Sequence, residues 1–260
     1  MTSGISEPNH IMNVKLPQYF KYQTAKDLIR LGRNNDGGYL VSESDIESSE
    51  ILIGLGINDD WSFEEDFSRK KKIPILAFDA SVSLKVYLRN LITSIVRIDK
   101  PYLFFHWLKT IFSYLKFFKN EIRHIKQFVG IDYSLLHTSL SSIIDNVGDK
   151  NIFLKVDVEG SEYRFLDTLL DKQSQITGLV IEFHDCDIHS DLIEKFIKKT
   201  SLKLVHIHAN NYAPVRLDSN LPLVLELTFS KNAPLEKKAI LPHNLDMPND
   251  PSSEEFFIQV

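Results

Sequence analysis

The chain has a single cysteine, Cys186, among 260 residues. No intrachain disulfide can staple the fold, and a reducing compartment suits such a chain. No uninterrupted apolar run approaches the roughly 18 to 20 residues of a membrane-spanning helix. Met1 to Lys15 mixes Ser, Glu, Asn and His and lacks the apolar stretch of a signal peptide. The expectation is a soluble, cytoplasmic protein. There is also no surplus of positive charge: the formal net charge is -5, which removes any general pull toward nucleic acid. Internal repeats and low-complexity linkers are absent too.

What is present is an ordinary globular composition, 43% apolar and 25% charged, in a chain long enough for one well-buried domain with a modest insertion. Residues 28 to 41, within an N-terminal region spanning 19–49, predict two short strands around Asn34-Asn35-Asp36-Gly37-Gly38, where glycine supplies the positive φ of a tight hairpin. Apolar strands then alternate with amphipathic helices. EILIGL from Glu50 breaks at Gly54 and Gly56 and enters a helix near Ser62, which with Glu65 forms a capping-box pattern. IPILAFDAS runs from Ile73, a third strand falls in Ile122 to Gly130, and NIFLKVDVEG leads into a helix over Ser161 to Leu170. GLVIEFHD, a helix around Asp191 to Lys199, LKLVHIHANN and LPLVLELTFS follow. This alternation predicts a mainly parallel, doubly wound α/β sheet. Leu241 to Val260 reads as irregular. Residues 85–120, centred on PYLFFHWLKTIFSYLKFFK, are too long for a plain crossover and predict a helical insertion.

Ligands of open α/β sheets bind at the carboxyl ends of the strands, and polar residues gather there. Gly54, Gly56 and Asn58 follow the first strand, where missing side chains let a ligand approach the backbone. Asp79, with Ala80 and Ser81 behind it, ends the second, where an acid can take both hydroxyls of a ribose. The third glycine of a dinucleotide loop is missing. Asp59 and Asp60 would repel a pyrophosphate at the helix N-terminus, which disfavours an NAD-type oxidoreductase and favours a phosphate-free cofactor with a positive sulfonium, S-adenosylmethionine.

LKVDVEGSE (Leu154 to Glu162) and the preceding TSLSSII (Thr138 to Ile144) resemble the signature of the FkbM-type methyltransferase family. DGGYLV, GLGINDDWSFEEDF, AFDAS, VIEFHD and HIHANNY add to the resemblance, which runs from about residue 28 to 230 apart from the insertion. The acid usual just before the first glycine is replaced by Leu52-Ile53, leaving Asp36 or Asn58 to serve the methionine part of the cofactor. The resemblance implies a Rossmann-like class I sheet of seven strands with the last antiparallel, S-adenosylmethionine at Gly54, Gly56 and Asp79, and O-methylation of a glycan or related natural product. The Pro-Pro pair of amide or adenine methylation is absent, since Val158-Glu159-Gly160 stand there.

Transfer to oxygen needs a hydroxyl held against the methyl group and relieved of its proton. Asp157 and His184 are the catalytic candidates, against the alternatives of helix capping or a structural ion pair for the first and a satisfied core histidine for the second. Glu159 is read as support for the following helix. Glu182, His208, Asn210 and Asn211 are candidates for the sugar-like substrate, with the two asparagines at the rim. Asp157, Glu182, His184 and Asp185 form the lesser option of a divalent-cation site. The basic aromatic segment 85–120 suits peripheral membrane contact or a lipid-linked substrate, while a buried helical lid or homodimer contact is the plainer reading. A catalytically silent, membrane-surface binding module is the alternative to an enzyme.

Overall fold

Seven short strands build one sheet: β1 (Ile51–Leu55), β2 (Ile75–Phe78), β3 (Ile122–Ile125), β4 (Ile152–Val156), β5 (Ile176–Phe183), β6 (Lys203–Ala209) and β7 (Leu225–Ser230). The computed structural model describes residues 13–97, 99–130, 133–236, 239 and 241–260. The strand order is β3-β2-β1-β4-β5-β7-β6, and β7 alone runs antiparallel, pairing with both β5 and β6. This is the mainly parallel, doubly wound sheet predicted from the alternation of elements. Order reverses between β1 and β4, which sit side by side with Ile53 opposite Leu154; that crevice is where such sheets bind ligands.

A sheet covered on both faces needs strands that are apolar throughout rather than alternating, and every residue of β1, β2, β4 and β5 is buried. Side-chain alternation sends Ile51, Ile53 and Leu55 into one core, which also takes α4 (Leu140–Val147), α5 (Leu166–Lys172) and α6 (Ser190–Lys199). Leu52, Phe153 and Val180 face the other core, with Phe63 and Phe67 of α1 (Ser62–Lys70). The capping box does not form. Ser62 is already the first helical residue, Asp60 Oδ1 accepts its N–H at 2.9 Å, and Glu65 turns to Arg69 and Ser113.

The second core extends through the 85–120 segment, which folds as a helical hairpin, α2 (Leu84–Ile95) and α3 (Tyr102–Phe117). Their inner faces pack Tyr87, Ile111 and Phe117 around Trp61, with Tyr87 stacked on Trp107 at 6.1 Å. The N-terminal hairpin pairs Leu28–Leu31 with Tyr39–Ser42 and lays Tyr39 on the same core. The tail is less irregular than its composition suggests: Phe257–Gln259 pairs in parallel with Asn13–Lys15, and Asn249 is buried.

Candidate functional site

A cleft of about 310 Å³ opens at the carboxyl ends of β1, β2 and β4, lined by Arg33, Asp36, Gly56, Asn58, Asp59, Asp60, Asp79, Ser81, Lys155, Asp157 and Glu159 among others. Six carboxylates face two basic groups there, so the cleft favours a cation or a polyhydroxyl ligand over a phosphate. A larger cavity of about 510 Å³ lies beside β1 and β2, lined by Ile51, Pro74, Leu76 and Val147. None of the six carboxylates of the first cleft lines it, and the chemistry lies with the smaller one.

The two glycines serve different ends. Gly56 has φ +81°, and a Cβ there would lie 1.7 Å from the Asp157 carbonyl oxygen, so the loop after β1 can press against the end of β4 only without a side chain. Gly54 does not face the cleft. A Cβ there would meet Glu64 Oε1 at 2.6 Å, so this glycine makes room for a fully buried carboxyl from α1. Lys155 lies over the pair: its Nζ donates to Gly56 O at 3.0 Å and approaches Glu64 Oε1 to 3.9 Å. Burial pushes Lys155 down, but Glu64, Asp157 and Asp60 outweigh it and hold the ammonium above its ordinary value.

Asp79 sits where the sequence placed it, at the end of β2, and its carboxylate is fully occupied. Oδ2 accepts from the Ile57 and Asn58 N–H groups at 3.1 and 2.9 Å, and Oδ1 accepts from the Ser81 N–H and hydroxyl at 2.8 and 2.5 Å. Burial raises its affinity for a proton, and these bonds more than offset that, holding Asp79 below the usual carboxylate range. Asp79 therefore fixes the loop that carries Gly56 and Asn58. Behind it, Tyr114 OH meets His124 Nδ1 at 2.9 Å and His124 Nε2 meets Asp79 O at 2.8 Å. Burial pushes His124 down, which keeps the ring neutral, donating from Nε2. Ala80 is half-buried between its two neighbours.

A second group converges beyond Asp157. Strand alternation turns Glu182 and His184 to one side of β5 and sends Phe183 into the core. One donor atom from each of Asp157, Glu182 and His184 falls within 4.8 Å of the others. Asp185 takes a left-handed φ of +49° and stays outside this group, so it is not the fourth member the sequence suggested. Tyr39 OH, buried, stands 3.2 Å from both Asp157 Oδ2 and Glu182 Oε2. Burial, then Asp157, Glu226 and Asp36, push the Glu182 carboxyl well above the usual range. His184 is aligned by the buried Glu162, whose Oε1 accepts its backbone N–H at 2.8 Å and lies 3.3 Å from Nδ1. The opposite nitrogen, Nε2, looks to Glu159 at 3.4 Å and Glu182 at 3.7 Å. Burial lowers this imidazole's basicity, but Glu162, Glu159 and Asp157 more than reverse it. The helix-supporting part expected of Glu159 is taken by Glu162, which also accepts from Gly160 N at 2.9 Å.

The remaining substrate candidates divide. Asn210 donates to Glu182 Oε1 at 3.1 Å and belongs to the group. Asn211 is buried, not at the rim: its amide donates to the Asp250, Ser253 and Glu254 carbonyls and clamps the tail. His208 is buried behind the site between Glu226 (3.2 Å) and Glu255 (3.3 Å). Asn249 joins this network to the cleft by donating to Glu226 Oε1 at 2.7 Å and Asp36 Oδ1 at 3.2 Å.

Sequence reasoning passed over Tyr39, Glu64, Lys155 and Glu162. Lys155 had a signal: a lysine inside a five-residue apolar strand must find a buried partner. Tyr39 and Glu162 carried none, because both act across more than 20 residues of chain.

No family model matches the chain, and no curated protein does. Solved structures resemble it in fold at low identity. Precorrin-6y C5,15-methyltransferase from Geobacter metallireducens matches at TM-score 0.39 and 11% identity over 73% of this chain and 86% of its own. The fibrillarin pre-rRNA processing protein of Methanococcus jannaschii matches at 0.37 and 10%, over 73% and 70%. The plantazolicin methyltransferase BpumL, solved with SAH, matches at 0.34 and 8%, over 73% and 80%.

Proposed function

We propose that this chain is an S-adenosylmethionine-dependent methyltransferase of the FkbM type, transferring a methyl group to a hydroxyl of a sugar-like or glycan acceptor. One observation carries the reading. The loop of Gly56 and Asn58, pinned by Asp79, borders a single acidic cleft with Asp157, next to an imidazole oriented by a buried carboxylate. The seven-stranded order with only β7 reversed agrees with the sheet that the family resemblance implies.

The residues fit the cofactor. Gly56 holds the backbone open at the switch point, Asp79 pins the loop that would face the ribose, and the surplus of carboxylates suits a positive sulfonium as it would repel the pyrophosphate of a nicotinamide cofactor. When bound, S-adenosylmethionine supplies an electrophilic methyl group. The chain's own work is to orient the acceptor and take its proton. His184 Nε2 receives the hydroxyl proton, and Glu162 stabilises the resulting imidazolium through Nδ1. Asp157, held by Tyr39, fixes the acceptor oxygen, while Glu182, whose carboxyl is pushed upward by burial and by Asp157, is placed to hydrogen-bond a neighbouring hydroxyl. Asn210 sets the orientation of Glu182.

The test is transfer of a labelled methyl group to a panel of sugars and glycans. His184→Ala and Asp157→Asn are each expected to lower turnover by about 10²–10⁴ with cofactor binding retained. The convergence of Asp157, Glu182 and His184 favours a second reading of the same cluster, a divalent cation holding the acceptor oxygen. Turnover unchanged after EDTA assigns the cluster to base catalysis. Loss restored by Mg²⁺ assigns it to the cation.

A further inference from the structure

The α2–α3 hairpin has two faces, and only the inner one is used by the fold. On α3 the inward stripe Trp107, Ile111, Tyr114 and Phe117, buried or half-buried, follows helical spacing. The opposite stripe, Tyr102, Phe105, Lys109, Phe112 and Lys116, projects outward. On α2, Lys85, Arg89 and Ile92, with Val96 just past its end, likewise stand opposite Tyr87 and Leu91. Ile92, Val96, Phe105 and Phe112 are 65%, 78%, 68% and 66% exposed. Soluble surfaces scatter single apolar residues, whereas an aligned aromatic and aliphatic strip on adjoining helices marks an interaction face.

Charge selects the partner. Between Leu84 and Lys119 stand seven basic residues and one acid, Asp99, a formal +6 in a chain of -5, which leaves -11 on the remainder. The excess is confined to the hairpin, and all seven basic side chains are exposed. Lysine and arginine interleaved with Phe and Ile on one strip match a surface that is anionic in its headgroups and apolar beneath. A nucleic acid would answer the charge and leave Ile92, Val96 and Leu115 in water; a second copy of the strip would answer the apolar groups and repel the charge.

We propose that the outer face of α2 and α3 docks this protein on an anionic lipid surface, with Phe105, Phe112, Ile92 and Val96 inserted at the headgroup boundary. Among the described residues no helix is long and apolar enough to cross a membrane; the docking proposed is peripheral. The hairpin also braces the cleft. His106 Nε2 lies 2.7 Å from Asp59 Oδ2, and Tyr87 OH donates to Asn58 O at 2.5 Å, so docking holds the cleft beside the membrane.

The experiment is co-sedimentation of the full chain with vesicles of equal parts phosphatidylglycerol and phosphatidylcholine, beside pure phosphatidylcholine vesicles and a single-stranded oligonucleotide. The chain is expected to pellet with the anionic vesicles only. K109Q/K116Q is expected to weaken partitioning about 25-fold, at about five-fold per charge, and F105S/F112S by at least about ten-fold. All four positions are solvent-facing, so the thermal midpoints stay at that of the parent. No binding to anionic vesicles, binding indifferent to both variants, oligonucleotide binding with silent vesicles, or a solution dimer dissolved by F105S/F112S without vesicle binding would each overturn the proposal.

Discussion

Gly56 shows how much of the site hangs on one missing side chain. Its φ of +81° lies in the left-handed region, and a methyl group there would lie 1.7 Å from the Asp157 carbonyl. Lys155 and Asp79 both hold the loop in that place, through Gly56 O and the Ile57 and Asn58 amides. Gly56→Ala is expected to cost at least about 1–2 kcal/mol from conformation alone and to move the loop off β4. Cofactor affinity then falls by more than about ten-fold, a further 1.4 kcal/mol in binding, while the sheet, buried behind the loop, still folds. Unchanged affinity by calorimetry and an unchanged thermal midpoint would show that the loop tolerates a Cβ and that the close approach is not needed.

Residue type and position made half of this legible. An aspartate at the end of the second strand and an acid and imidazole at the ends of the fourth and fifth are local facts of spacing, and the structure puts them around one crevice. What could not be read is which side chain each strand end would meet. Gly54 looks like a ligand glycine in sequence, yet its open space is filled by Glu64, ten positions on and brought back by α1. Asn210 and Asn211 are adjacent and identical in chemistry, but one serves Glu182 and the other holds Asp250 to Glu254. Their roles depend on where the tail lies, and strand periodicity has nothing to say about that.

At the scale of elements, the tail and the hairpins complete what the sheet begins. The tail reaches the site through buried polar partners: Asn249 spans Glu226 and Asp36, and Glu255 meets His208. Burial disfavours a charged His208, but Glu226, Glu255 and Asp246 overcome it and hold its pKa well above the ordinary histidine value. A group whose folded pKa is raised contributes stability that is complete below its unfolded value and is lost as pH rises through the folded one. The thermal midpoint is therefore expected to fall as the solution is made alkaline beyond the usual histidine range. His208→Asn removes that slope and lowers stability by about 3 kcal/mol at neutral pH, the cost of leaving a buried carboxylate unpaired. A parent protein whose midpoint is flat across the same pH span would contradict a charged His208. The capping box at Ser62 and Glu65 belongs to this scale as well. Its spacing is correct, but the helix starts one residue early because Asp60 caps it first.

For the molecule as a whole, the order β3-β2-β1-β4-β5-β7-β6 puts the first and fourth strands at the centre and their loops at one crevice. The class of fold was readable because parallel strands buried on both faces leave long apolar runs, and those runs survive in any single sequence. The pairing order was not readable from periodicity, and the family resemblance supplied only the strand count and the reversal of the last strand. The reversal of β7 follows from long-range pairing of Leu179 with Phe229 and Leu204 with Phe229, which no local pattern encodes. Charge is divided at this scale too, the basic hairpin standing against an acidic remainder and an acidic cleft.

The central claim is that the acidic cleft takes a sulfonium nucleoside. Calorimetric titration with S-adenosylmethionine and S-adenosylhomocysteine, beside NAD and an Asp79→Ala variant, tests it directly. The account predicts binding of about micromolar affinity, about -8 kcal/mol, for both nucleosides, its loss in the variant, and no heat with NAD. A folded protein that binds neither nucleoside, or that binds NAD in their place, would contradict it.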